Sequence, residues 1–568
     1  MKISDVEKRT GLSAKAIRMY EERGLIAVAR EENSYRNYDD NTVERLERIK
    51  RFRDAGIAIS SICLYFNGII SLEELVNERL NQIKKASSEN SEQLRKCQSL
   101  LTQTCSQMDA NEKITVKSDR EVVVGIDIGT TNISVILIDV VHKSVLESYT
   151  VANHSKTSTK DGFMEFDADW VLNKVRQLID YFCERYKVVH SIGFTGQMHG
   201  VVLVDKNGAA VTPFYNWQDQ RGNELLGENT YCAEACLKSG YALHTGYGFT
   251  TLYYNQCHGL IPKEAVSFTT IMDYVAASLS GKAEMMVHAT NAASFGLFDI
   301  KSGEFDKTAV AALGITITLP RVVDEKTVVG YYKNVPIMVS IGDNQASFYG
   351  SIKDEEKMLL INFGTGSQIS LVTDTCFETK EELEVRPYLG GKYLLCGCAL
   401  CGGKAFEALE RFFSAYIAHS GMENGTQYTV LNALTEKAYH ETSALSVKTT
   451  FAGTRSNPQA KGTITGITVD NFTPEALSLG ILQGMVDELY DFFEKMGADT
   501  SKAVVASGNV VQKNKAINWL LRDKFSSKVD VTAYQEEAAL GAAMCSAVNV
   551  GVMTHEEAKS LIVYRKEI

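Results

Sequence analysis

The chain of 568 residues lacks an apolar stretch behind its first methionine: MKISDVEKRTGLS is charged and polar, so no secretory signal is expected. It also lacks any run of about 18 apolar residues, so no membrane-spanning helix is expected. Its 12 cysteines sit at scattered spacings without secretory context, the pattern of reduced thiols in a cytoplasmic protein. No G-x-x-x-x-G-K-[ST] P-loop occurs, so a phosphate chain has to be held another way. A net charge of −11 argues against a nucleic-acid coat. The charge is uneven, however: residues 1–60 carry 13 Lys+Arg and 11 Asp+Glu, about +2, which leaves −13 for the remainder. Apolar content of 45% and the length suit three or four globular domains.

What is present centres on Val122 to Val140, VVVGIDIGTTNISVILIDV. Two β-branched apolar runs flank the polar tip Gly129-Thr130-Thr131-Asn132, the pattern of a β-hairpin. Asp127 ends the first run, where an unpaired buried carboxylate costs several kcal/mol, roughly, unless a metal ion or polar ligand compensates it. Small residues, hydroxyls and backbone N–H groups at the tip suit a phosphate chain. Met358 to Val372, MLLINFGTGSQISLV, repeats the pattern about 235 residues later, with one extra residue expected in its turn. Two such hairpins facing across a cleft would hold a nucleotide between related lobes.

Residues 1–70 read as a small helical unit. Ser4 is the expected cap of a first helix ending at Thr10-Gly11, and Ser13 that of a second from Ala14 to Arg23. A polar hairpin from Arg30 to Tyr38 and helices near Asn41–Asp54 and Ser60–Tyr65 complete it. The runs TGLSAKAIRMYEERGLI and SYRNYDDNTVERLERIKRFRDAGIAISSI resemble the MerR family of winged helix-turn-helix transcription regulators. That resemblance implies binding to a double-stranded DNA operator, with Ser13, Lys15, Arg18 and Tyr20 on or near the recognition helix and Tyr35 and Arg36 on a wing against phosphates.

Residues 71–107 read as a long helix. Leu72, Val76, Leu80 and Ile83, then Leu94, Leu101 and Met108, recur at helical spacing with Cys97 and Cys105 between them. The MerR resemblance implies a homodimer through this helix; packing on its own chain is the other reading. Residues 108–120 are polar and aperiodic, a linker.

From residue 121 the motifs SIGFTGQMHGVVLVD, YNWQDQRG, TGYGFTTLYYN, MDYVAASLSGK, NAASFGLFD and IGDNQASFYG together resemble the FGGY carbohydrate kinases, closest in detail to the sedoheptulokinase and xylulokinase branches. The resemblance implies two α/β ribonuclease-H-like lobes of the actin and sugar-kinase superfamily, an N-terminal sugar-binding lobe at 121–351 and a C-terminal nucleotide lobe at 352–568. The expected fold is therefore an all-α winged helix-turn-helix head with a long dimerisation helix, followed by a two-lobe kinase.

In that frame Asp343, after an apolar strand and before a helix, is implied as the general base that deprotonates a ketose hydroxyl as it attacks the γ-phosphate of ATP. An N-cap role is the structural alternative. Asp127 is the candidate Mg²⁺ residue, acting through water. Thr130, Thr131 and Asn132 in the first turn and Thr365 and Gly366 in the second are the phosphate candidates. Gly403, and Gly508-Asn509 after the run Ala503-Val504-Val505, are the nucleotide-lobe candidates; Ala506 and Ser507 replace two of the family's glycines. Met198, His199, Trp217, Asp219 and Gln345 are the sugar candidates. Cys396, Cys398 and Cys401 lack the spacing of a metal site and read as buried apolar residues.

Overall fold

A computed structural model describes residues 1–30, 36–85, 93, 95–97, 99–100, 117–158, 160–376, 382–421, 426–441, 445–454, 457, 459–499 and 501–565. Tyr35, Leu94, Leu101, Cys105 and Met108 lie outside them.

The head is built from α1 (Ile3–Thr10), α2 (Ala14–Glu22), the paired strands β1 (Ala29–Arg30) and β2 (Arg36–Asn37), α3 (Asp40–Asp54) and α4 (Ile59–Phe66). Ser13 caps α2 through the Ala16 N–H at 3.2 Å, as its sequence position indicates. The first helix starts earlier than expected: Lys2, not Ser4, is its N-cap. Next, α5 (Leu72–Lys85) turns back along the head. Val76 and Ile83 are buried in the chain's own core, and the partly covered Leu72 and Leu80 pack against it. Cys97 is buried there too. The first half of the expected dimer seam is thus used within one chain.

The N-lobe sheet contains β3 (Ser118–Ile128), β4 (Asn132–Asp139), β5 (Ser144–Ala152), β6 (Tyr186–Gly196), β7 (Val328–Tyr332) and β8 (Val335–Met338), in the order β7-β8-β6-β3-β4-β5. α6 (Ala168–Arg185) covers it. β3 begins at Ser118, three residues inside the stretch expected to be linker, because Ser118 pairs with Tyr186. α7 (Asp343–Ser351) then leads out of the sheet.

The C-lobe repeats the plan. Its strands are β9 (Met358–Phe363), β10 (Ser367–Thr373), β11 (Leu383–Pro387), β12 (Tyr393–Ala399), β13 (Ala503–Ser507) and β14 (Val529–Val531), ordered β11-β12-β10-β9-β13-β14. In both lobes three antiparallel strands are followed by two parallel neighbours: β5-β4-β3 then β6 and β8, and β12-β10-β9 then β13 and β14. The extra edge strands, β7 and β11, break the correspondence. α8 (Gly403–His419) and α9 (Pro474–Met496) pack on the C-lobe sheet.

The final long helix, α10 (Glu537–Asn549), crosses back to the N-lobe. Its small residues allow this: a Cβ on Gly541 would fall 1.8 Å from the Ala346 carbonyl oxygen, and one on Gly125 in β3 would fall 2.1 Å from that of Ala539. The Ser546 and Ser191 hydroxyls meet at 2.6 Å. The last long helix of the chain therefore packs against N-lobe strands.

The head rests on the N-lobe. Ile17, Leu46 and Ile62 of the head share one apolar cluster with Val135, Tyr149 and Phe182 of the lobe. Glu147 on β5, buried, pairs with Arg23 of the head and with Arg185 of α6 at 3.2 Å. Breaking the buried Arg185–Glu147 pair would cost roughly 3–5 kcal/mol, and the exposed Arg23 arm less. Lys174 donates to the Ile69 carbonyl at 2.8 Å.

Candidate active site

The turn before α7 is held from several sides. The Asn291 side-chain amide donates to Ser340 Oγ at 2.8 Å, the Ser340 hydroxyl donates to buried Asp273, and the Gly342 N–H donates to Thr290 Oγ1 at 3.0 Å. Asp343 is the first helical residue and Gly342 the N-cap, so the capping alternative fails. Its Oδ1 accepts only from its neighbour, the Asn344 N–H at 2.7 Å and side-chain amide at 3.1 Å, among the described residues. Burial pushes the Asp343 carboxyl up to about 6, against the lowering effects of the Asn344 N–H and the Arg386 charge. A base with that pKa is ionised at neutral pH and still accepts a proton.

Asp343 lines a cavity of about 810 Å³ together with Met198, His199, Trp217, Tyr247 and Asn344 from the N-lobe and Thr365, Gln368, Arg386 and Lys404 from the C-lobe. His199 has a left-handed backbone, φ +71°, held by its N–H to Ser294 Oγ (3.1 Å) and by Nδ1 against the Ser294 carbonyl oxygen (2.8 Å). Its ring stacks on Tyr247 at 4.4 Å, with planes 6° apart. A strained non-glycine residue fixed this way is characteristic of a functional site. Trp217 is half exposed and donates from Nε1 to Thr130 Oγ1 at 3.1 Å.

Asp219 departs from the expectation. It is fully buried and accepts from Arg221 Nε (2.8 Å), the Arg221 N–H (3.0 Å) and the Met164 N–H (2.9 Å). Its carboxylate braces the loop and does not face the cavity; Gln218 and Gln220, on either side of it, do. Gln345 is likewise buried outside the cavity lining and donates to the Pro387 carbonyl at 2.9 Å, tying α7 to the C-lobe.

The first turn divides its residues. The Thr130 hydroxyl donates to Gln197 Oε1 at 3.1 Å and accepts from Asn216 Nδ2 at 3.2 Å, behind Trp217. Thr131 and Asn132 line a second cavity, about 830 Å³, with Glu536 of the C-lobe and Glu74 and Glu78 of α5. The second turn is shorter than expected: Ile128 pairs with Ile133 around four residues, but Phe363 pairs with Ser367 around three. It sits against the start of α8, where the Gly402 and Lys404 N–H groups donate to Thr365 O (3.1 Å each) and the Gly403 N–H to Gly364 O (2.9 Å). Those helix amides serve the turn, while Lys404 puts a cation on the cavity wall. Gly508 has φ +96°, and a Cβ there would lie 2.3 Å from the Phe363 carbonyl oxygen; Asn509, exposed, starts the helix behind it.

Burial, then the charges of Asp343 and Glu536, push the Asp127 carboxyl up to about 8. A carboxyl crowded by two others fits a divalent cation that would offset the repulsion. No group of three or more His, Cys, Asp or Glu is placed to hold a metal among the described residues. Cys396 and Cys401 are buried free thiols.

On the head, Ser13, the N-cap of α2, and Lys15 and Arg18 on that helix are exposed. Tyr20 is not: it is 4% exposed, in the head's core with Ile17, so it cannot reach DNA from this position. Arg36 pairs with Glu21 at 2.6 Å and is one-third exposed. No helix among the described residues is long and apolar enough to cross a membrane.

Glu384 and Arg386, in a strand whose local pattern has no distinctive spacing, were not singled out by sequence. Tyr247 and Gln368 fall inside quoted motifs without a role of their own there, and Lys404 lies in the first turn of α8; only folding brings them to the cleft.

Two matched α/β lobes closing on a cavity that holds a lone carboxylate at a helix start define a two-lobed phosphotransferase. The chain belongs to the FGGY family of carbohydrate kinases, whose N-terminal domain matches residues 122–355 and C-terminal domain residues 359–550. Residues 1–68 match the MerR HTH family regulatory protein. The chain is similar to sedoheptulokinase of Mus musculus, 22% identical over 472 residues that cover 75% of this chain and 97% of that one. It is similar to xylulose kinase of Haemophilus influenzae, 24% identical over 463 residues covering 74% and 89%. The crystal structure of xylulose kinase from Rhodospirillum rubrum shares the fold, with a TM-score of 0.67 at 20% identity, covering 79% of this chain and 94% of that one.

Proposed function

We propose that this carbohydrate kinase phosphorylates a ketose of the sedoheptulose or xylulose type with ATP, and that its helix-turn-helix head binds a DNA operator as a homodimer. The observation that carries the kinase reading is Asp343: a carboxyl raised to about 6 on a cavity lined by both lobes. It takes the proton from the attacking sugar hydroxyl. His199, Met198 and Trp217 orient the sugar. Thr365 and Lys404 meet the phosphates from the C-lobe side. Asp127 would hold Mg²⁺, which supplies charge neutralisation on the phosphates.

A second reading is a regulator whose kinase fold only senses sugar or nucleotide. It draws on the Arg23–Glu147–Arg185 network, which joins the head to β5 and α6 of the N-lobe. ATP turnover over a ketose panel separates the two. Asp343→Ala should lose about 10²- to 10⁴-fold in turnover, the usual contribution of a general base, with operator binding unchanged. Equal turnover in wild type and variant would end the catalytic reading and leave the sensor.

A further inference from the structure

β11 is the C-lobe strand with no counterpart in the N-lobe's ribonuclease-H-like core, and it brings an arginine to the cleft. Arg386 is only 13% exposed, and the cavity it lines is the one that holds Asp343. Nε at 3.0 Å and Nη2 at 2.6 Å both donate to one oxygen of Glu384. Nη2 also lies 3.7 Å from Cys398 Sγ. Nη1 is buried with no hydrogen-bond partner among the described residues. A guanidinium offers five donors in a fixed plane, and an unmatched one in a desolvated wall is costly.

The placement indicates which ligand would match it. The nucleotide-side turns, Gly364–Gly366 and Gly508, flank β9 in the middle of the sheet, whereas β11 is the edge strand beyond β12. Pro387, the next residue, receives the Gln345 side chain from the base's own helix at 2.9 Å. Burial acts to lower the Arg386 pKa, but Cys396, Cys398, the Tyr247 hydroxyl and the Asp343 carboxyl lie near enough to raise it above its ordinary value. Tyr247 is the ring stacked on His199. Arg386 therefore stands on the acceptor's side of the cleft, not the triphosphate's. Gln368 on β10 lines the same wall and is tied to the same Cys398 through its Oε1 at 3.3 Å. Glu384 already balances the arginine's charge, so the matching group is a neutral oxygen.

We propose that Arg386 is a specificity-determining residue for the acceptor: its guanidinium donates to a hydroxyl or carbonyl oxygen of the ketose away from the phosphorylated end, so that the sugar site is completed by the C-lobe. This rests on the ketose-kinase reading. Sugar contacts drawn from both lobes would couple acceptor choice to lobe closure.

The test compares wild type, Arg386→Met and Arg386→Lys. It uses steady-state kinetics with ATP, calorimetric binding of the ketose alone, and a series of monodeoxy ketoses. Arg386→Met should raise the sugar KM about 10- to 100-fold, the loss of one charged hydrogen bond, with the ATP KM within about twofold. One deoxy analogue should lose affinity for the wild type and show no further loss with Arg386→Met. An unchanged sugar KM with unchanged deoxy discrimination overturns the proposal and leaves the kinase reading standing. If wild type binds a ketose without phosphorylating it, the kinase reading falls and the binding arm alone decides Arg386 by the same criteria. Failure of wild type to bind any ketose overturns both. If Arg386→Met does not fold, as its melting curve would show, Arg386→Lys decides, since it keeps the charge and loses the fork.

Discussion

The two glycine–threonine hairpins share a sequence pattern and a place in their lobes, yet they are built differently. In the first, the Thr130 hydroxyl is the hub: Gln197, Asn216 and Trp217 all reach it. In the second, backbone does the work: Gly364 and Thr365 carbonyls accept from the N-terminal amides of α8, and glycine lets the two segments touch. Two residues before each glycine the contrast sharpens. Asp127 faces Asp343 and Glu536, whereas Asn362 donates to Ser507 Oγ at 2.9 Å. The first hairpin carries charge and side-chain polarity, and the second carries shape.

Among changes to the two hairpins the largest effect should come from Asp127→Asn, which gives the first hairpin the second's amide. Phosphorylation should fall by about 10²- to 10³-fold, the scale of losing a preorganised electrostatic contact. Stability should move the other way. The folded carboxyl binds its proton up to about pH 8, far above an unfolded aspartate. Its contribution is full below the unfolded value and is lost as pH rises through about 8. The metal-free variant should therefore melt higher than the metal-free parent at pH 8 and match it near pH 4, as calorimetry would read. A lower melting temperature at pH 8 would mean that Asp127 has a stabilising partner.

Gly402→Ala tests the shape-based turn. The added Cβ would sit 2.4 Å from the Gly366 carbonyl carbon, a backbone contact that cannot move cheaply. A cost of about 1–3 kcal/mol is expected, a melting decrease of several degrees, with nucleotide KM raised and sugar binding untouched. Sugar and nucleotide affinities falling equally would show that the turn is not confined to one ligand.

The smallest effect belongs to Thr130→Val, which keeps shape and removes the hub. Roughly 1 kcal/mol of stability should be lost, with a severalfold rise in sugar KM as Trp217 loses its anchor. Nucleotide affinity should hold. In wild type, turnover should rise with pH through about 6 as Asp343 ionises, a limb that pH-rate profiles read directly.

Strong local signals were readable without coordinates. The β-branched runs at 122–128 and 133–140 and at 358–363 and 367–372 predict the hairpins that form. Ser13 and Gly11 mark the helix ends where they stand. Tyr20, three residues beyond Ile17, shares its buried face, so helical periodicity favours core over DNA at that position. Asp219 was not readable in the same way: whether a loop carboxylate meets a sugar or a guanidinium depends on Arg221 folding back onto it. The seam on α5 carries the same limit, because a heptad stripe shows that a face is covered and not by which partner.

By itself, the sequence determined the class of the machine: two lobes with paired glycine–threonine turns, a carboxylate at a helix start, and a basic helical head before them. Those features are local, fixed by periodicity, turn chemistry and residue type within a few neighbours. Tertiary structure alone decided which polar groups face the cleft and which are spent on support, and that the head lies against β5. Those outcomes depend on contacts between residues tens to hundreds of positions apart, such as Arg23 with Glu147 or Gln345 with the carbonyl beside Arg386, and no local pattern encodes which distant partner a side chain will meet.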